Sequence, residues 1–118
     1  MNSKELMEKA VKCMDSKKAI DIKVLDISKV TTMADYFVIC QGGSSTQMKA
    51  IADEIDEKFS ESGIKPFGRE GMNTAYWILM DYSDVIIHIF NSESRSFYSI
   101  ENLWSDAEIV DISEIIKD

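Results

Sequence analysis

The chain carries one histidine, His88, and two cysteines, Cys13 and Cys40. Histidine titrates near neutrality and is the residue type best suited to general acid–base work. His88 lies in the apolar run Val85–Ile86–Ile87–His88–Ile89–Phe90, and nucleophilic catalysis needs a serine or thiol within hydrogen-bond reach of such a base. No local spacing supplies one, so the histidine reads first as a structural group. Cys40 ends an apolar run and reads as a small core hydrophobe, while Cys13 falls on a helix. Two cysteines cannot build a disulfide framework, and with one histidine they are too few for a structural zinc site.

A second chemical candidate is Gly42–Gly43–Ser44–Ser45, between a strand and a helix. Glycines there let a backbone approach a phosphate, and a helix N-terminus favours anions. The segment lacks the lysine of G-x-x-x-x-G-K-[ST] and the spacing of G-x-G-x-x-G, so a turn followed by a helix cap explains it. The same strand–Gly–Ser–helix arrangement occurs in nucleotidyltransferases, which need paired carboxylates on a nearby strand to hold divalent metal. Here the strand offers only Asp81; Asp84 lies past the turn. No cofactor or metal is expected, and the chain reads as a binding protein, not an enzyme. Arg95 is expected to form a structural ion pair with Asp81, Asp84 or Glu93.

The elements that must position these residues follow from periodicity. Ser3 is a candidate N-cap, and Leu6, Met7, Ala10, Val11 and Met14 recur at helical spacing, which predicts a helix over residues 4–16. Ile20–Ile27 alternates and reads as a strand with Asp21 and Lys23 toward its open side. Val30–Asp35 is a connector with a helical turn, and Tyr36–Cys40 a strand buried on both faces. Ser44 or Ser45 caps a second helix, with Met48, Ile51, Ala52, Ile55 and Phe59 as its apolar stripe and Gly63 as its stop. Residues 64–74 read as a loop. Tyr76–Tyr82 and Val85–Phe90 read as strands joined by a tight turn, and Asn91 or Ser92 caps a short helix through Tyr98. A short strand at Glu108–Val110 and a last helix near Ser113–Lys117 finish the chain. The expectation is one α+β domain over residues 1–118, a mixed β-sheet with packed helices.

Side chains alternate across a strand, and a two-residue hairpin loop keeps facing partners in register. Whether the loop is Tyr82–Ser83 or Ser83–Asp84, one face carries Ile78, Met80, Val85, Ile87 and Ile89, with Tyr82 at the rim, and must pack on the helices. The other carries Trp77, Leu79, Asp81, Ile86, His88 and Phe90. Aromatic anchors beside a few polar groups suit an interface core; a second buried layer with a satisfied histidine suits the pattern equally. The stretch Trp77–Trp104 is read as the working surface, with Trp77, Leu79, Asp81, His88 and Phe90 as contact residues and Tyr98 and Trp104 beside them.

The formal charge of −8 argues against broad nucleic-acid binding, which relies on lysine and arginine to neutralise phosphate. A basic protein is the more natural partner. No run approaches the roughly 20 apolar residues of a membrane span, and Met1–Asn2–Ser3–Lys4–Glu5 lacks a signal pattern, so a cytoplasmic protein is expected.

Three blocks resemble the ribosome-silencing factor, or Iojap, family. The first is Ala34–Asp35–Tyr36–Phe37–Val38–Ile39–Cys40 continuing through Gly42 and Ser45. The second is Ala50–Ile51–Ala52–Asp53–Glu54–Ile55. The third runs from Trp77 to Phe90 and on through Glu93, Arg95, Phe97–Tyr98, Leu103–Trp104 and Ala107. Ser83 stands where the family usually has glycine, and Gln41 replaces a smaller polar residue. The resemblance implies a nucleotidyltransferase-like core without its catalytic carboxylate pair. It also implies binding to the large ribosomal subunit through ribosomal protein L-fourteen, a steric block to subunit joining, and a homodimer. The alternatives are a residual nucleotide-binding enzyme using Ser44, Ser45 and Asp81, or a generic homodimerisation module.

Overall fold

The structure is a computed structural model and describes residues 2–74, 76–98 and 106–116. In chain order the elements are α1 (Ser3–Ser16), β1 (Ile20–Asp26), β2 (Tyr36–Gln41), α2 (Ser45–Glu61), β3 (Gly68–Glu70), β4 (Trp77–Asp81), β5 (Val85–Phe90), α3 (Ser92–Tyr98) and β6 (Glu108–Ile109). The six strands form one sheet in the order β3-β4-β5-β2-β1-β6. The central pair β2–β5 is parallel and the other pairs are antiparallel. The fold is therefore α+β with a mixed sheet, as the periodicities predict.

Helix α1 starts one residue earlier than expected. Asn2 is the N-cap because its side chain accepts the Glu5 N–H at 2.8 Å while the Glu5 carboxylate accepts the Asn2 N–H at 3.2 Å. This reciprocal pair satisfies two donors that a helix start leaves free, which Ser3 has no partner to match. Helix α2 is capped by Ser44, whose hydroxyl accepts the Gln47 N–H at 3.1 Å. Its buried residues are the expected stripe, Met48, Ile51, Ala52, Ile55 and Phe59. Together α1 and α2 cover one face of the sheet, burying Val24, Val38, Cys40, Ile78, Met80, Val85, Ile87 and Ile89.

Two expectations need correction. Residues 64–74 are not all loop, because Gly68–Glu70 pairs with β4 as a short edge strand, too short to show alternation. Near the C-terminus the N–H groups of Ile115 and Ile116 both bond to the Ile112 carbonyl, closing a single turn and not a helix among the described residues.

Arg95 also departs from its expected partners. It pairs with Asp21, with a guanidinium nitrogen 3.5 Å from the carboxylate and a second donating to the Asp21 carbonyl. Asp21 sits at φ +54° where the β1–β2 register shifts, so its carbonyl turns out of the ladder and is free to accept. The pair ties α3 to the first strand. Asp81, Asp84 and Glu93 are not its partners.

Candidate functional site

The β4–β5 register places Trp77 opposite Phe90, Leu79 opposite His88 and Asp81 opposite Ile86. The two faces read from alternation are therefore the two faces of the folded hairpin. Of the two possible loops, Ser83–Asp84 is the one formed. Tyr82 N–H bonds to Val85 O, and Asp84 N–H bonds back to Tyr82 O, each at 3.0 Å. With φ +72° at Ser83, that second bond closes a γ-turn centred on the serine. Asp81 steadies it by accepting the Ser83 N–H at 2.8 Å.

The second face divides along its strands. On the central strand β5, Ile86, His88 and Phe90 are all buried, joining Leu25, Ile27, Ala34, Phe37 and Ile39 in a second apolar cluster. On β4, one strand from the edge, Trp77, Leu79 and Asp81 are half-buried. The β4 row is thus partly exposed, while His88 and Phe90 lie buried beside it on the neighbouring strand. The Tyr98 side chain and Trp104, the other expected contact residues, lie outside the described residues, as does Leu103.

The buried residues of β5 fix the partly exposed row of β4. The Trp77 indole N–H donates to His88 Nδ1 at 3.0 Å. The Trp77 ring stacks on Phe90 with centroids 5.1 Å apart, and the Phe37 ring meets the imidazole edge-on at 4.7 Å. Because Nδ1 accepts, the neutral imidazole carries its proton on Nε2, which is buried and finds no hydrogen-bond partner among the described residues. Burial pushes the His88 pKa from 6.5 down to about 3. Such a group stays neutral near pH 7 and is unsuited to taking a proton from a substrate. Neither cysteine helps it. Cys40 projects into the opposite core layer, and burial raises the Cys40 thiol to about 12 and the Cys13 thiol to about 11. Just past β3, the chain runs close against β4 at Gly71, whose φ is +82° and where an added Cβ would collide with the Trp77 carbonyl.

The glycine–serine loop is occupied by its own helix. Gly43 N–H donates to the Gln47 side chain at 2.6 Å, and that amide in turn donates to the carbonyls of Lys17 and Lys18. At Gly42 a Cβ would come within 2.6 Å of the Met48 side chain, so the missing side chain serves close packing of α2. The Gly43 N–H is thereby taken up within the protein. Among the described residues no cluster of three or more His, Cys, Asp or Glu is placed to hold a metal ion. No described helix is long and apolar enough to cross a membrane.

Sequence reasoning missed a cleft at the turn end of this face. It is lined by Met33, Phe67, Asp81, Ser83 and Ile86 and encloses about 300 Å³. Met33 and Phe67 come from aperiodic connections, where an apolar residue has no pattern to mark it. The one available signal was an aromatic directly after Pro66 in a glycine-containing loop.

Comparison with known proteins adds a consistent set of relatives. The profile of the family described as "Ribosomal silencing factor during starvation" matches residues 1–118. The ribosomal silencing factor of Bacillus subtilis is 42% identical over 112 residues, covering 95% of each chain. That of Halalkalibacterium halodurans is 38% identical over 117 residues, covering 99% of this chain and 100% of the other. A crystal structure of a Chromobacterium violaceum protein superposes with a TM-score of 0.86 at 33% identity, covering 89% of this chain and 88% of that one.

Proposed function

The chain belongs to the ribosomal silencing factor family, and on that premise we propose that it binds the large ribosomal subunit through ribosomal protein L-fourteen and sterically blocks subunit joining. Translation would fall as a result. The observation that carries this reading is the half-buried row Trp77, Leu79 and Asp81 on β4, braced from the neighbouring strand by His88 and Phe90. A rigid aromatic anchor beside an aliphatic and an acid is the composition of a protein–protein hot spot. A chain of net charge −8 is repelled by ribosomal RNA and so needs a protein landing site. The same premise implies a cytoplasmic protein that pairs with a second copy of itself.

Co-sedimentation with isolated large subunits tests the reading. Trp77→Ala and Leu79→Ala are expected to weaken binding about tenfold or more each, the scale of a hot-spot truncation. The same variants should relieve inhibition in a subunit-joining assay. Full affinity in both variants would remove this face from the interaction.

The nucleotide-binding alternative has less support, since Gln47 already engages the Gly43 N–H and Ser44 is engaged as the helix cap. Calorimetry with ATP and magnesium is expected to show no heat at micromolar affinity.

A further inference from the structure

We propose that the cleft between Met33 and Phe67 is a specificity pocket that receives an apolar side chain carried next to a lysine or arginine on the protein partner. The proposal rests on the reading of this sheet face as partner-binding and names a part of that face.

Three elements build the cleft. Phe67 stands on one side, just before the edge strand β3, and is 82% exposed. Met33 stands on the other, in the connection from β1 to β2, and is 53% exposed. Ile86 of the central strand is buried between them and forms the floor, while Asp81 and Ser83 lie at the hairpin turn. Backbone bonds hold the walls in place. Phe67 N–H donates to the Asp81 carbonyl at 2.7 Å, and Asp35 N–H, two residues beyond Met33, donates to the Asp84 carbonyl at 2.8 Å. At about 300 Å³ the cleft lies at the lower end of the range of ligand pockets, roughly 300–1,000 Å³, which suits one or two side chains better than a cofactor.

Its chemistry selects the occupant. Two large apolar side chains stand exposed around one concavity on a strongly acidic protein, so an apolar side chain entering it would remove both from water. Asp81 is the charged group in the lining. One carboxylate oxygen accepts the Ser83 N–H, and no described cation lies within ion-pair distance of it. The neighbouring strand's Arg69 is held 3.2 Å from Asp56 of α2, on the opposite side of the sheet. A half-buried carboxylate without a counter-charge repels phosphate and favours an ammonium or guanidinium group beside the apolar side chain. The cleft also continues the β4 row. Asp81 lies two residues from Leu79 and four from Trp77 on the same face, about 13 Å in all at 3.3 Å per residue, so a partner that covers Trp77 reaches it.

The test compares wild type with Phe67→Ala, Met33→Ala and Asp81→Asn in co-sedimentation with isolated large subunits, beside Trp77→Ala. Phe67 and Met33 are exposed enough for truncation to leave the fold intact. Asp81→Asn keeps the acceptor for Ser83 and removes only the charge. Phe67→Ala and Met33→Ala are expected to weaken binding about fivefold to tenfold each. Asp81→Asn should weaken it more at 50 mM than at 200 mM salt, because screening has already reduced the ion pair at the higher value. Full affinity in all three cleft variants while Trp77→Ala loses binding would overturn the pocket and leave the ribosomal reading standing. Loss of oligomerisation in Phe67→Ala at unchanged subunit affinity, read by analytical ultracentrifugation, would assign the cleft to a second copy and overturn it as well.

Failure of wild type to bind large subunits would overturn the ribosomal reading, and a second probe then decides the cleft. A capped Lys–Ile–Lys–Ile peptide titrated into isotope-labelled protein is expected to shift the Met33 and Ile86 methyl resonances, and Asp81→Asn to reduce the shift. Absence of any shift in wild type would overturn the proposal.

Discussion

Burial strips His88 of its hydration, and the hydrogen bond its ring makes is accepted, at Nδ1, from Trp77. Burial favours the neutral imidazole, so its pKa falls from 6.5 to about 3 in the folded protein. Between those values the unfolded chain binds a proton that the folded chain refuses. Stability therefore rises with pH across that window and is lost as pH falls below about 6.5, at on the order of 1 kcal/mol per unit. Wild type is expected to lose about 2 kcal/mol more between pH 7.5 and pH 5.0 than His88→Gln, measured by urea denaturation at each pH. Glutamine retains an acceptor for the indole N–H, so the comparison isolates the proton. Equal losses would show that His88 is not held neutral. The indole emission of folded wild type should stay constant over this range, because the imidazole does not charge until the fold is lost.

Elements meet their limits at their ends, and the β4–β5 turn is the clearest case. Ser83 occupies φ +72°, a region where a side chain adds strain and glycine does not. The bonds from Asp81 and Tyr82 hold it there. Ser83→Gly is expected to stabilise the protein by about 1 kcal/mol, seen as a rise of a few degrees in Tm, since relief of strain outweighs the added freedom of the unfolded chain. A fall in Tm would contradict the strained turn. The same hairpin shows what sequence can reveal. Its two faces were legible because a two-residue loop makes alternation on one strand imply alternation on the other. The α2 stripe and the doubly buried β2 were legible because their patterns run long enough to repeat. The β3 strand, three residues long, has no room for a period. Arg95 finds Asp21 from 74 positions away, where local spacing carries no information. Within the candidate site, the residues sharing a face were readable, but the burial of His88 and Phe90 beside the half-buried Trp77 was not. That depends on how central a strand lies in the sheet, which only the strand order reveals. Met33 and Phe67 meet across the cleft through two unrelated connections, and nothing in either announces the other.

The whole molecule carries a charge of −8, and under the proposed function that bears on how it would approach a particle made largely of RNA. A protein that grips phosphate loses roughly 10³–10⁵ in affinity between 50 and 200 mM salt as counterions return. This chain has 13 lysines and arginines against 21 acids, and its candidate contact row contributes a carboxylate and no base. Two opposing effects then set its salt dependence. Repulsion from the RNA weakens as the screening length falls from about 14 to about 7 Å across that range, which favours association. The short-range attraction of Asp81 for a basic partner weakens at the same time, which opposes it. Because the proposed contact row pairs one carboxylate with a tryptophan and a leucine, neither effect is expected to dominate. Affinity for isolated large subunits is expected to change by less than about tenfold over the range, measured by co-sedimentation at equilibrium. A decline of a hundredfold or more would mean that the chain holds the ribosome by its phosphates, and a landing site made of protein would then have to be abandoned.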